Sequence, residues 1–315
     1  MISINAGDSK IGVLLLNMGG PDSLEAVKPF LFNLFSDPYI ANFGKFQKFF
    51  AFLIANFRAK KVKAAYKKIG GKSPLKEITL SQAKALQESL GENFKVRAAM
   101  RYWHPFLNTV INELKKEKIK KLIVIPLYPQ FCTATTRSLI EEFKKLADKF
   151  FEYKIVESWS DFPPFVDAWI EKIQEAFSKF GNDCFILFSA HGIPESLLKK
   201  GDPYIEEVKK TVKAIVEKMK LNKNYKICYQ SKVGPIKWVQ PSTEKVMTEL
   251  ANREIKKVLI VPISFVSDHI ETLYEIDIVF KEKAKNLGIE LYRVASLNDS
   301  AKFINALKTL VLESI

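Results

Sequence analysis

Lys121-Leu122-Ile123-Val124-Ile125-Pro126-Leu127 is a short apolar run whose central part, Leu122–Leu127, reads as a buried strand. Lys257-Val258-Leu259-Ile260-Val261-Pro262-Ile263 repeats it almost side chain for side chain. The strands that precede the two runs also echo each other, Phe94-Lys95-Val96 against Tyr225-Lys226-Ile227. Each half further holds an apolar strand that ends at a glycine, Gly19 in one and Gly192 in the other. Around these runs the pattern predicts strands at Gly12–Leu16, Phe94–Met100, Lys154–Val156, Phe185–Ser189, Tyr225–Tyr229, Val258–Val261 and Glu290–Arg293. Helices are predicted at 81–91, 107–118, 136–149, 165–180, 204–220, 243–253, 269–288 and 301–312. Short apolar strands alternating with helices indicate βαβ units and parallel sheets. The fold class is therefore α/β, with two similar doubly wound domains, each a mainly parallel sheet flanked by helices. The boundaries fall at 1–160 and 161–315, with the last helix packing back on the first domain. A cleft between two such domains would be lined by strand-end loops from both.

The bulk numbers suit that architecture. The chain has 315 residues, 47% hydrophobic and 27% charged, enough to bury a large core. No stretch approaches the roughly 20 apolar residues needed to span a bilayer. Met1-Ile2-Ser3-Ile4-Asn5-Ala6-Gly7-Asp8 lacks the charged start and apolar middle of a signal peptide, so a cytoplasmic location is expected. Cys132, Cys184 and Cys228 are far apart and form no Cys-x-x-Cys pair. That supports neither a zinc clip, nor a cysteine-held cluster, nor a disulfide framework. Lys+Arg number 49 and Asp+Glu 35, a net charge of +14, which favours acidic partners. Most lysines sit in helical surface patterns such as Lys115-Lys116-Glu117-Lys118, and no nucleic-acid motif accompanies the charge.

Phe30 to Lys61 breaks the alternating rhythm, with ten aromatic residues among Lys45, Lys48, Arg58, Lys60 and Lys61. Phe46, Phe49, Phe50, Leu53 and Phe57 form one helical stripe. The first expectation for such a stripe is core; the alternatives are a wall for a flat apolar ligand and a face that dips into an anionic membrane surface.

Two of the three histidines close apolar runs. His191 ends Phe185-Ile186-Leu187-Phe188-Ser189-Ala190, and Ser267-Asp268-His269 follows Val258–Val266. In open parallel sheets ligands bind beyond the carboxyl ends of the strands, where an imidazole suits metal or proton chemistry. Asp268, Glu271 and Glu275 are spaced to share one helix face. A capping box between Asp268 and Glu271 is the plainer reading of the first two and leaves Glu275 unexplained. Acids leading toward an imidazole suit a divalent cation of borderline softness, such as Fe(II), Co(II) or Zn(II). Gly19-Gly20-Pro21-Asp22, Gly70-Gly71-Lys72-Ser73-Pro74 and Phe188-Ser189-Ala190-His191-Gly192 match no dinucleotide, Walker or nucleophile-elbow pattern.

Eight segments, in order, resemble the ferrochelatase family. They are Leu15–Pro21, Gly70–Leu75, Met100–Pro105, Pro126–Phe131, Phe188–Pro194, Gly201–Tyr204, Gln230–Pro235 and Ser267–Leu273. The resemblance runs from about Ile11 to Leu312. The resemblance implies two Rossmann-like domains around a porphyrin cleft, and an enzyme of the lyase type that inserts Fe(II) into protoporphyrin IX at the last step of haem biosynthesis. His191 and Glu271 would face each other across the ring as the metal-contacting and catalytic pair, with His191 also the first proton acceptor. Asp268 and Glu275 would form a carboxylate path for cation or protons. Met18, Tyr128, Trp238 and Phe265 would wall the porphyrin, Arg58 and Lys61 would meet its propionates, and Arg101 and Tyr102 would complete its contacts. Fe(II) enters as substrate, with no prosthetic group. No iron–sulfur cluster is expected either, because the cysteines that hold one in some relatives have no counterpart before Ile315. Arg137 departs from the glycine that many relatives carry there. Peripheral contact with the inner face of a membrane fits the aromatic segment. The rival readings are a coproporphyrin ferrochelatase, another tetrapyrrole chelatase such as a cobalt-inserting one, and a cytoplasmic haem or metal carrier.

Overall fold

A computed structural model describes residues 10–147, 149–221 and 224–315. The Met1–Asp8 stretch discussed above lies outside them. The described elements run β1 (Ile11–Asn17), α1 (Val27–Phe35), α2 (Gln47–Lys67), α3 (Leu75–Leu90), β2 (Phe94–Met100), α4 (Leu107–Lys116) and β3 (Lys121–Pro126). A short π-helical turn, Thr133–Arg137, leads into α5 (Ser138–Ala147), then β4 (Glu152–Ile155) and α6 (Pro163–Phe180). The order restarts with β5 (Phe185–His191), α7 (Glu195–Lys199), α8 (Tyr204–Met219), β6 (Tyr225–Gln230), α9 (Thr243–Asn252) and β7 (Lys257–Val261). A π-helical segment, Glu271–Phe280, runs on into α10 (Lys281–Asn286), followed by β8 (Glu290–Arg293) and α11 (Ala301–Leu312).

Two four-stranded sheets result, in the orders β2-β1-β3-β4 and β6-β5-β7-β8, every described pairing parallel. The two orders are the same once the repeat is allowed for, as the sequence echo predicts. Parallel strands are covered on both faces by their crossover helices, so they read as continuous apolar runs. Val13 to Leu16 and Val258 to Val261 are wholly buried. In the first sheet Leu14, Leu16 and Val124 pack with Val110, Leu114 and Phe143 of the helices. In the second, Leu187, Val258 and Ile260 pack with Val246, Leu250 and Phe280.

The chain divides into two units. Residues up to Tyr128, Thr133–Ser158 and Asn298–Ile315 form the first; Pro129–Cys132 and Trp159–Leu297 form the second. In the first unit α11 packs on α3. All three cysteines are buried and none forms a disulfide.

Three local expectations are corrected. Helix α3 begins at Leu75, six residues before the predicted start, because Pro74 takes the cap position and needs no amide there. The aromatic stripe of α2 does not enter the core: Phe46 is 66% exposed, Phe49 58% and Phe57 83%. Helix α2 packs on α1, and its buried residues are Ala51, Ala55, Ala65 and Tyr66. Small side chains let the two helices approach, whereas phenylalanines on the same face would hold them apart. The Asp268–Glu271 capping box is also absent. Asp268 Oδ1 instead accepts from Thr272 Oγ1 at 2.9 Å, Ser296 Oγ at 2.8 Å and Arg293 Nη1 at 2.9 Å.

Candidate active site

Strand register makes the C-terminal ends of the two sheets equivalent. Gly12 lies beside Leu122 in the first sheet, and Phe185 beside Val258 in the second. Matching Leu122 to Val258, as the echo does, sets Met18 opposite His191 in the repeat and Gly19 opposite Gly192. One hydrogen bond recurs at this level: Leu127 N donates to Leu16 O at 2.8 Å, and Ile263 N to Ser189 O at 2.9 Å. The fold thus delivers His191 to the position where open parallel sheets take ligands.

His191 is half-buried at the end of β5. Its Nδ1 lies 2.6 Å from the Gly192 carbonyl. A carbonyl only accepts, so Nδ1 carries the proton and Nε2 keeps its lone pair for a metal or a proton. Gly192 has to be glycine, because a Cβ there would come 2.8 Å from the Gln230 carbonyl and 3.4 Å from the Trp238 ring. Trp238 and Phe265 stand edge-on to the imidazole, with ring centroids at 6.5 and 6.1 Å.

The π-helical segment brings two acids to the same place. Glu271 Oε2 lies 2.9 Å from His269 Nε2; His269 is buried and Glu271 half-buried. Burial pushes the Glu271 carboxyl up, but the charge and hydrogen bonding of His269 and the charge of His191 outweigh it and hold the group at about 2. His269 is raised above its ordinary value, because its pairing with Glu271 overcomes the opposing effect of burial. Its Nδ1 lies 2.9 Å from the Ser267 carbonyl, which fixes the ring. Glu275 is pushed up, by burial first and by repulsion from Glu271, against hydrogen bonds from Ser231 and the charge of His191. Ser231 grips this carboxylate from both sides, its amide donating to Oε1 at 2.9 Å and its hydroxyl to Oε2, while Gln230 Nε2 donates to Oε2 at 3.2 Å. Ser231 adopts φ +66, a left-handed conformation that side chains other than glycine and asparagine take at a cost. Two neighbouring carboxyls are therefore driven in opposite directions, one fixed as an anion and one ready to take a proton.

The other anticipated residues fall into three groups. Asp268 accepts hydrogen bonds from Arg293, Ser296 and Thr272, and its ion pair with Arg293 ties the loop before the π-helical segment to β8. In the first unit Met18 and Arg101 follow directly on β1 and β2, and Tyr128 lies two residues beyond β3, with Arg101 N donating to Asn17 O and Tyr102 N to Met18 O, each at 2.9 Å. Tyr102 is buried, and its hydroxyl donates to Asp37 at 2.8 Å. Through Asp37 it shares a partner with Arg101. Arg101 Nη2 pairs with Asp37 at 3.2 Å and Glu142 at 3.6 Å. Arg58 is half-buried over the Phe35 ring, 5.3 Å from its centroid, and has no carboxylate partner among the described residues. Lys61 is exposed.

Sequence reasoning missed His269 as the counter-ion of Glu271, the Ser231 clamp and Asp37. His269 carried a signal, since it closes an apolar run. The other two are polar residues in loops, where spacing is silent. Among the described residues no group of three or more His, Cys, Asp and Glu is arranged to hold a metal ion, and no helix is long and apolar enough to cross a membrane.

Comparison with known proteins agrees with this chemistry. The Ferrochelatase family model matches residues 10–315. The ferrochelatase of Aquifex aeolicus (strain VF5) is 48% identical, covering 97% of this chain and 100% of its own. That of Geotalea uraniireducens (strain Rf4) is 46% identical, covering 97% and 98%. Among solved structures, SirB from Bacillus subtilis with Fe3+ superposes with a TM-score of 0.59 at 12% identity, covering 97% of this chain and 95% of that one. CbiX, the terminal enzyme of sirohaem biosynthesis in denitrifying bacteria, gives 0.52 at 10% identity, covering 97% and 99%. These two share the fold. With its strand-end histidine, its paired acids and this family match over nearly its whole length, the chain belongs to the ferrochelatase family, the lyases that insert iron into a porphyrin.

Proposed function

We propose that the chain inserts Fe(II) into protoporphyrin IX to give protohaem, with His191 and Glu271 as the pair that handles metal and protons. The observation that carries this reading is a strand-end histidine whose Nδ1 is engaged by the Gly192 carbonyl, in the same unit as a carboxylate held at about 2. A porphyrin loses two pyrrole protons as the metal enters. Glu271, ionised at any physiological pH, suits the cation. His191 Nε2 suits the first proton, and Glu275, pushed up by burial, suits passing protons onward. A flat ring holds its nitrogens in plane, so apolar walls at Met18, Tyr128, Trp238 and Phe265 would keep it bent, a distortion of roughly a few kcal/mol.

For the propionates Arg58 is the better anchor. Arg101 is already bracketed by Asp37 and Glu142, and a further carboxylate there would meet two like charges. Arg58 and Lys61 lie on α2 beside exposed Phe46, Phe49, Phe52 and Phe57. That mixture of bare aromatics and lysines suits peripheral attachment to an anionic membrane surface from the cytoplasmic side, where an apolar substrate would also partition.

Purified protein mixed with Fe(II) and either protoporphyrin or coproporphyrin, without oxygen, should quench protoporphyrin fluorescence faster. Insertion into coproporphyrin alone would overturn the choice of macrocycle. His191→Ala should lower insertion by about a hundredfold or more at unchanged melting temperature, and Glu271→Gln should lower it by a similar factor together with a loss of stability, because it also breaks the pair with His269. Near-normal turnover by His191→Ala would show that the site is wrongly assigned.

A further inference from the structure

At the end of β5 pairing continues on the β6 side, where His191 lies beside Gln230, but stops on the β7 side. Strand β7 stops at Val261, and its last bond to β5 is Ile263 N to Ser189 O. The amide of His191 would then be orphaned at the edge of the sheet. In the first unit the equivalent amide, that of Met18, is taken by the side chain of Asn17, at 2.8 Å from Oδ1. The residue equivalent to Asn17 is Ala190, which has no acceptor. The second unit solves the problem differently: the His191 amide donates to Ser264 Oγ at 2.9 Å. Ser264 is itself the equivalent of Tyr128 in the repeat, two residues beyond Pro126 and Pro262.

Behind Ser264 stands Tyr204. Its side chain is buried, its hydroxyl has no hydrogen-bond partner among the described residues, and the polar groups bearing on it include the Ser264 hydroxyl and the His191 backbone, with Cys132 and Tyr229 also acting on it. The Gly201-Asp202-Pro203-Tyr204 segment fixes this placement. Gly201 takes φ +82, and Asp202 Oδ1 accepts from the Tyr204 amide at 3.0 Å, which seats Tyr204 as the first residue of α8. A motif that no step of the reaction requires thereby acquires a purpose.

We propose that Ser264, backed by Tyr204, is the positioning residue for His191: it holds the strand-end amide, and through it the imidazole, in the setting that aims Nε2 at the substrate. The proposal rests on the reading of His191 given above. It names side chains that touch neither metal nor porphyrin, so their effect falls on the reacting geometry rather than on binding.

The test uses the full chain. With only three histidines, each imidazole can be followed by long-range proton–nitrogen NMR. Ser264→Ala should move or broaden the His191 ring signals and leave His104 in place. It should also lower kcat about tenfold with the porphyrin KM unchanged. Ser264→Thr, which keeps the hydroxyl, should restore both. Tyr204→Phe should shift the same signals less, and the double variant should deviate from additivity, as residues sharing one network do. An unmoved His191 signal, or a loss of activity matched fully by a loss of folded protein, would overturn the proposal. So would a raised KM at constant kcat. If Tyr204→Phe does not fold, the Ser264 pair decides alone. A ring that shifts while both Ser264→Ala and His191→Ala stay active would fault the role given to His191 and leave its seating by Ser264 standing.

Discussion

At the scale of single residues, the His269–Glu271 pair governs the site. Breaking a buried pair leaves one charge uncompensated, at a cost of about 3–5 kcal/mol. His269→Asn should therefore destabilise the substrate-free protein by that order in urea unfolding, and Glu271 should rise from about 2 because the main influence opposing burial is then gone. The direction with pH follows from the two shifts. Glu271 is depressed, so its contribution is present above its ordinary value of 4.5 and disappears as pH falls from there through about 2. His269 is raised, so its contribution is complete below 6.5 and disappears as pH rises through its elevated value. The melting-temperature gap between the native chain and a His269→Asn, Glu271→Gln double variant should thus be widest between 4.5 and 6.5. A gap that stays flat with pH would refute the pairing. Little of this was legible beforehand. Spacing favoured Asp268 with Glu271, three residues apart as a capping box requires, whereas the true partner lies two residues away, where no helical periodicity points. Asp268 was instead claimed by Arg293, sixteen residues past Asp277 and on another element, which no local pattern reveals.

At the scale of elements, α2 shows how a hydrophobic pattern can mislead. Periodicity finds a stripe but cannot say what faces it. The phenylalanines were the conspicuous candidates for the core, yet the alanines between them occupy it. Enlarging one of these, as in Ala51→Leu, should overpack the α1–α2 contact and cost about 1–3 kcal/mol in urea unfolding. Replacing Phe57 by Ser should change stability by less than about 0.5 kcal/mol while weakening sedimentation with anionic vesicles. Vesicle binding that survives loss of Phe49 and Phe57 together would remove the membrane role from α2. The strands were far easier to read. Phe94–Met100 and Glu290–Arg293 match the predicted limits; the first declares itself by apolar content, whereas the second, an edge strand with Glu290 exposed, is read from its place between two helices.

At the scale of the whole molecule, the repeat was visible for the same reason: both sheets need the same buried run at the same place in their order. The attachment of residues 298–315 to the first unit is set by side-chain packing, as when α11 lies on α3, and by Gln82 Nε2 donating to the Asn298 carbonyl at 2.8 Å. Leu307→Ala in α11 removes a wholly buried side chain and should cost about 2–5 kcal/mol. Hydrogen exchange should then rise in β1 to β3 and hold steady in β5 to β7; an equal rise in both would mean that α11 does not belong to the first unit. This arrangement has a consequence for birth on the ribosome. The nascent first unit waits, lacking its closing helix, while the whole of the second is translated, so the part begun earliest is finished last and its exposed apolar seam is open to chaperones throughout.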